Sequence, residues 1–483
     1  MESVSRVVAE SFWGRPSRRR FLRGVGQFAA VGGVGVLAAC EGPPKSAVAP
    51  PQRAGESPPV PTAAAGTPEA AGAAAGAAKP MYQMDPQHTG RSPYAGPRRP
   101  QLLRTFDLNG LETREPGDPR PNIESSAAIG ADGTIYLGHF PGNLCALRDP
   151  GSGDRLQLLW RFHPPGASSF HTTPALGRDG TVYAGFSTGG ATPQAQGTFY
   201  ALRAPASGQD AQVAWAVDLG PGRQTCSPTL AADGTIYAVS GAGRLVVLAP
   251  DGRVRWTAQT GPAVKAAPAL GADGTVYLAS MDGRLYAVAP PAGGGTEGSI
   301  RWTFDFGAHP GRTPPVTAPA PPPGADGVGS GASPTVAPDG TLYLGANNSN
   351  FYALAPDGTL RWLYEAEREV AGIWSSAALS ADGASLYFGA NKGGLYALHR
   401  ADGAVRWRFP VYGSIYTSPT LDSRGTLYTG STIGHLFALE AATGRPLFDY
   451  DAGAPIWTAP AIRRDGSLVV GDTRGRVMLF GAA

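Results

Sequence analysis

The chain has 483 residues with 68 Gly, 46 Pro, little charge and a formal net of +3, a composition for short strands joined by many turns. The charge is unevenly placed: residues 1–39 hold six arginines against two glutamates, a net of +4, so the remainder stands at −1. A near-neutral body has no broad field for phosphates, which argues against a nucleic-acid partner.

In chain order, "SRRRFLRG" (Ser17 to Gly24) comes first, then a Gly-diluted apolar run ending "LAAC", Leu37 to Cys40. It resembles a twin-arginine export signal joined to a bacterial lipobox, with Arg18 and Arg19 as the pair and Cys40 as the lipid-bearing first mature residue. The run is short for a membrane span. Residues 1–39 therefore read as a signal peptide. Residues 40–80, rich in Pro, Ala and Gly, read as a disordered linker that cannot bury a core. Lipid on Cys40 would hold the protein at a membrane of the bacterial cell envelope without spanning it.

The body, 81–483, repeats. Clear copies begin at Thr225, Lys265 and Tyr416, and others near Glu124, His171, Gly331, Trp374 and Trp457, which makes eight. In each, a short apolar run reaches a pair such as Asp132-Gly133 or Asp273-Gly274, suited to the positive φ angles of a tight hairpin. A strand like "TIYLG", a Gly/Asn-rich turn, a strand like "LYAL" and a fourth strand carrying Trp follow. Four antiparallel strands every 40 residues or so predict the blade of a β-propeller. The fold is thus all-β, an eight-bladed propeller with a monomeric body. Pro174, Pro228, Pro268, Pro334, Pro419 and Pro460 lack an N–H, so their strand lies at an edge, along the central channel. Trp160, Trp215, Trp256, Trp302, Trp362 and Trp407 belong to the wide outer strand and fill wedges between blades.

The eighth unit has only three strands before the chain ends. Ahead of the first unit, "LLRTFDL" (Leu102 to Leu108) reads like an outer strand with Arg104 in the Trp slot. It is expected to close the last blade from the N-terminal side, burying Leu103, Phe106 and Leu108 and placing Phe106 beside Val477.

The repeat "SPTL…DGTLY.G…G.L.AL...TG...W" and the lead-in "MYQMDPQHTGRSPYAGP" (Met81 to Pro97) resemble the PQQ-like β-propeller superfamily. That superfamily includes quinoprotein dehydrogenases and the BamB type of assembly lipoprotein. The resemblance implies two functions: a non-catalytic scaffold for envelope proteins or a peptide segment, with no cofactor, or an oxidoreductase using PQQ with calcium. The quinoprotein pattern implies an adjacent cysteine pair, absent here, and a calcium held by Glu, Asn and Asp. Cys145 and Cys226 read as packing thiols, and a disulfide between them would have to link different blades. The seven histidines show no zinc spacing, the Asp-Gly pairs lack the alternating ligands of a calcium loop, and no nucleophile elbow occurs.

One position varies where its neighbours repeat. Three residues before the Pro/Ala slot the units carry Glu124, His171, Thr225, Lys265, Gly331, Trp374, Tyr416 and Trp457. Freed from shared packing, this position can differentiate for binding. In a closed ring Trp374, Tyr416, Trp457, Glu124 and His171 form an arc with Lys265 across the channel, the candidate ligand or partner face. Two insertions, Ser187 to Gly197 and the Pro-rich Ala308 to Gly331, join that face as a docking lid or a spacer.

Overall fold

The structure, a computed structural model, describes residues 77–111, 122–140, 142–189, 195–308, 329–367 and 370–482. Arg18, Arg19, Cys40, nearly all of 40–80 and the central parts of both insertions lie outside the described residues.

Each repeat forms one antiparallel sheet, in chain order from the channel outward, and there are eight. The first runs Ala128–Ile129, Ile135–His139, Asn143–Arg148, Gln157–Phe162. Inner strands are two residues long in every blade, as in Thr229–Leu230 and Thr420–Leu421. The second blade departs slightly from the four-strand pattern, because Ala167–Ser169 adds a short fifth strand beside Val182–Thr188.

The eighth blade is completed by Pro100–Asp107, which pairs antiparallel with Arg476–Ala482 and sets Phe106 opposite Val477. Arg104 faces Leu479, matching the slot where Trp160 faces Ala146, and the register shifts beside the slot in both sheets. The expected burial is only partly found. Leu108 is fully buried and Phe106 half-buried, but Leu103 is 42% exposed, because the bulge turns it outward over Gly481. Thr105 also bridges to Arg155 of the first blade, so this strand is held on both sides.

Core residues divide into eight clusters, one per pair of neighbouring blades. The cluster joining last to first holds Ala461, Val469, Val477 and Leu479 against Ile129, Leu137, Cys145 and Leu147. Cys226 sits in a different wedge, so the cross-blade disulfide is not made. Four of these wedges are also stitched by tryptophan. The indole N–H of Trp215, Trp302, Trp362 and Trp407 donates to Pro250, Pro356, Arg400 and Ala441 carbonyls of the following blade at 2.9–3.0 Å. Gly403 lets the next turn approach, since a Cβ there would lie 2.6 Å from the Trp362 ring.

The Asp-Gly turns differ in one respect from the expected hairpin. Only the glycine takes positive φ, as Gly133 does at +83°. Asp132 instead accepts from the Thr134 N–H at 3.0 Å and its hydroxyl at 2.7 Å, an Asx turn.

The lead-in has a role that its sequence did not announce. Inner strands expose backbone N–H groups at the channel, and residues 79–90 cap them at the end where those strands finish. Ile129, Leu176, Leu270, Val336, Leu379 and Leu421 donate in turn to carbonyls of Lys79, Pro80, Pro86, Gln87, Thr89 and Gly90 at 2.8–2.9 Å. The segment therefore winds around the axis in blade order as a plug. Its tight path puts Gln83, Met84 and His88 at φ of 52°, 79° and 58°. Packing thus begins within 77–80, ahead of residue 81.

Candidate functional site

Alternation along the run leading into each inner strand sorts side chains into two directions. Residues one past the variable position turn back into their own blade. Thr417 and Thr458, for example, donate to the Gly430 and Gly471 carbonyls at 3.0 Å. Residues two past it face the channel and clasp the next blade. Thr173, Ala267, Ser333, Ser376 and Ala459 N–H groups donate to hydroxyls of Ser227, Ser333, Ser376, Ser418 and Ser126 at 2.8–3.0 Å. The last of these crosses from the eighth blade to the first.

Above this belt of hydroxyls the eight variable residues open onto one cavity of about 160 Å³. It brings together Glu124, His171, Lys265, Trp374, Tyr416 and Trp457, with Thr225 and Gly331 completing the circuit. Tyr82 reaches through from the plug and forms the floor, its hydroxyl sharing 3.0 Å hydrogen bonds with Ser376 and Ser418.

The mouth has two unlike halves. Across blades six to eight, Trp374 stacks on Tyr416 with centroids 5.1 Å apart and planes at 22°, and Tyr416 meets Trp457 edge-on at 6.1 Å. Trp374 is held by a 2.6 Å bond from its indole N–H to Asn347 Oδ1. Across blades one to four the wall is charged. Arg223 Nη2 lies 2.8 Å from His171 Nε2, and His171 Nδ1 lies 2.8 Å from Glu124 Oε2. A guanidinium can only donate, so Nε2 is the acceptor and the proton sits on Nδ1, donating to Glu124. Asn122 donates to the other Glu124 oxygen at 2.8 Å. Burial lowers the pKa of Lys265, helped by the Arg223 charge and opposed by Glu124. Burial also lowers Arg223, again opposed by Glu124.

Sequence reasoning passed over Tyr82, Arg223 and Asn347. Arg223 lies two residues before Thr225 in a segment outside any strand, so no alternation pattern marked it. Tyr82 gave no signal, because nothing local says the lead-in enters the channel.

Cys226 supplies no thiolate to this site. Cys226 donates to the Val264 carbonyl at 3.3 Å, and burial pushes its thiol up to about 12, so no thiolate forms near neutrality. Nor do the described lining residues fit a calcium-held quinone. Calcium takes six to eight oxygens, several from carboxylates. Among the described lining residues Glu124 is the sole carboxylate, and both its oxygens are engaged. No group of three His, Cys, Asp or Glu able to hold a metal occurs among the described residues. No described helix is long and apolar enough to cross a membrane.

Comparison with known proteins places this geometry. Among solved structures, BamB from Moraxella catarrhalis is 15% identical, covering 79% of this chain and 97% of its own, with a TM-score of 0.51. Quinohemoprotein alcohol dehydrogenase from Comamonas testosteroni is 13% identical over 86% of this chain and 82% of its own, TM-score 0.63. A europium-containing methanol dehydrogenase is 13% identical over 84% and 98%, TM-score 0.61. At such identities the likeness is one of fold. No curated protein matches the chain. The family profile described as "Outer membrane protein assembly factor BamB" matches residues 201–305, 295–418 and 391–480, so the chain belongs to that family of PQQ-like β-propellers.

Proposed function

We propose that this protein is a lipid-anchored component of the bacterial cell envelope whose propeller is a non-catalytic binding scaffold, taking a segment of a partner protein at the channel mouth. Family membership supports an envelope protein that binds other proteins. The observation that carries the reading is the mouth itself. Eight positions released from the repeat converge on one cavity, aromatic on one side and charged on the other. Export through Arg18 and Arg19 and lipid on Cys40 complete the proposal, supported by the motif at residues 17–40.

The oxidoreductase alternative draws on the PQQ-like family match and the quinoprotein fold neighbours. The two separate in one experiment. A photo-crosslinking amino acid at Tyr412, 92% exposed on the mouth side, should give discrete adducts with envelope proteins in intact cells. The same group at Val254, on an outer strand, should not, and Trp374→Ala should suppress the Tyr412 adducts. PQQ- and calcium-dependent oxidation of an alcohol by the purified protein would overturn the scaffold reading.

A further inference from the structure

A second cavity, of about 300 Å³, lies between blades five and six, away from the mouth. Its wall includes Gly383, in the turn between the first two strands of blade six, and residues 399–401, in the turn between the last two. In an antiparallel blade both turns stand at the end opposite the entry to the first strand.

A departure from the repeat opens this space. In blades three, four and five the third strand leads into Pro250, Pro290 and Pro356. Each proline closes over the Asp-Gly turn of its own blade: a Cβ on Gly234, Gly274 or Gly340 would lie 3.2, 3.9 or 2.7 Å from its ring. Blade six carries His399-Arg400-Ala401 there, without proline, and a Cβ on Gly383 would meet nothing within 4 Å.

The same departure brings a second guanidinium. Blades three and four pair one arginine with one aspartate, Arg255 with Asp233 at 3.2 Å and Arg301 with Asp273 at 2.5 Å. In the cavity wall Asp339 is shared between Arg361 of its own blade at 3.6 Å and Arg400 of the next at 3.2 Å. Arg361 also donates to the Thr341 hydroxyl at 2.7 Å. Two guanidiniums carry ten N–H donors, more than one carboxylate and one hydroxyl can take up, so both keep donors for a ligand. Asp357, whose charge also attracts Arg361, is exposed and outside the lining. Arg400 is held in place through its backbone, its N–H donating to the Ala384 carbonyl and its carbonyl accepting from the Trp362 indole, both at 2.9 Å. Tyr343, Trp362, Ala384 and Ala401 supply an aromatic and apolar wall beside these charges. The volume is at the lower end of small-molecule sites.

We propose that this cavity binds a small aromatic carboxylate, the carboxylate bridging Arg361 and Arg400 and the ring lying against Tyr343 and Trp362. The site is separate from the mouth and does not depend on the scaffold reading.

The test titrates the full chain in detergent with benzoate, benzamide and acetate, read by saturation-transfer NMR. Ala384→Phe supplies the background of ligand in micelles, because residue 384 is exposed and a ring there fills the cavity without entering the core. Benzoate should saturate at millimolar concentration, with benzamide and acetate each about tenfold weaker. Arg361→Gln and Arg400→Gln should each erase the preference for benzoate over benzamide. Arg255→Gln, which breaks the corresponding pair in blade three where Pro250 closes the turn, should leave that preference unchanged. A benzoate signal no larger than in Ala384→Phe, or equal binding of benzoate and benzamide, would overturn the assignment. A preference lost equally in Arg255→Gln would overturn it too.

Discussion

Lys79 offers the sharpest test of the plug. It is 1% exposed inside the channel, its Nζ 3.5 Å from the Ala459 carbonyl oxygen, and burial lowers its pKa from 10.5 to about 7. Between those values the unfolded chain holds a proton that the native chain has released, so stability rises with pH across that window. Below pH 7 both states are protonated and the penalty is constant. Integrated from pH 7 to 10.5 the change is about 4 kcal/mol. With an unfolding entropy of about 2.1 cal/mol/K per residue over roughly 400 residues, this corresponds to a Tm change of about 5 °C. Lys79→Met keeps the apolar stem and removes the amine. It should melt about 5 °C above the parent at pH 7, and the gap should close toward pH 10.5. Paired scanning calorimetry at several pH values gives the difference directly, with the other titrating groups cancelling. A gap that stays constant with pH, or a variant less stable at pH 7, would show that Lys79 is not a desolvated amine in the channel.

On the acid side His88 acts in the same sense: buried and donating from Nδ1 to the Pro334 carbonyl, it is pushed down to about 4, so stability should fall by about 3 kcal/mol as pH drops from 6.5 to 4. Asp85, whose carboxyl burial pushes up, offsets part of that loss, and His88→Gln should flatten the slope in urea titrations. Gly403→Ala should cost about 2–4 kcal/mol, because φ is +74° and Trp362 blocks the new methyl. Gly208→Ala, at φ +79° with open space, should cost about 1 kcal/mol, and equal losses in chemical denaturation would remove the packing argument. Deleting Pro100–Asp107 should bare the edge of Arg476–Ala482 and give aggregates by light scattering; a monomer melting cooperatively at the parent temperature would refute the closure argument.

What the sequence disclosed follows from what repeats. Turn glycines, channel-edge prolines and outer tryptophans occupy the same slot many times over, so blade number, strand order and even the pairing of Phe106 with Val477 could be read before any coordinates. The variable mouth position was legible for the opposite reason, standing out against a constant background. Features that occur once were not. The bulge that turns Leu103 outward and the path of residues 79–90 depend on long-range pairing, and no local pattern encodes a segment whose partners are six different blades. The Asx geometry at Asp132 was missed for a smaller reason: Asp-Gly suits several turn types, and the Thr two residues on decided among them.

The plug also gives the ring a polarity. Residues 77–80 lie at the end of the channel remote from Trp374 and Glu124. A force drawing out residues 77–80 would have to unzip the bonds at Ile129 and Leu176 before it could withdraw Tyr82 from under the cavity, making the floor the third thing to give way under load.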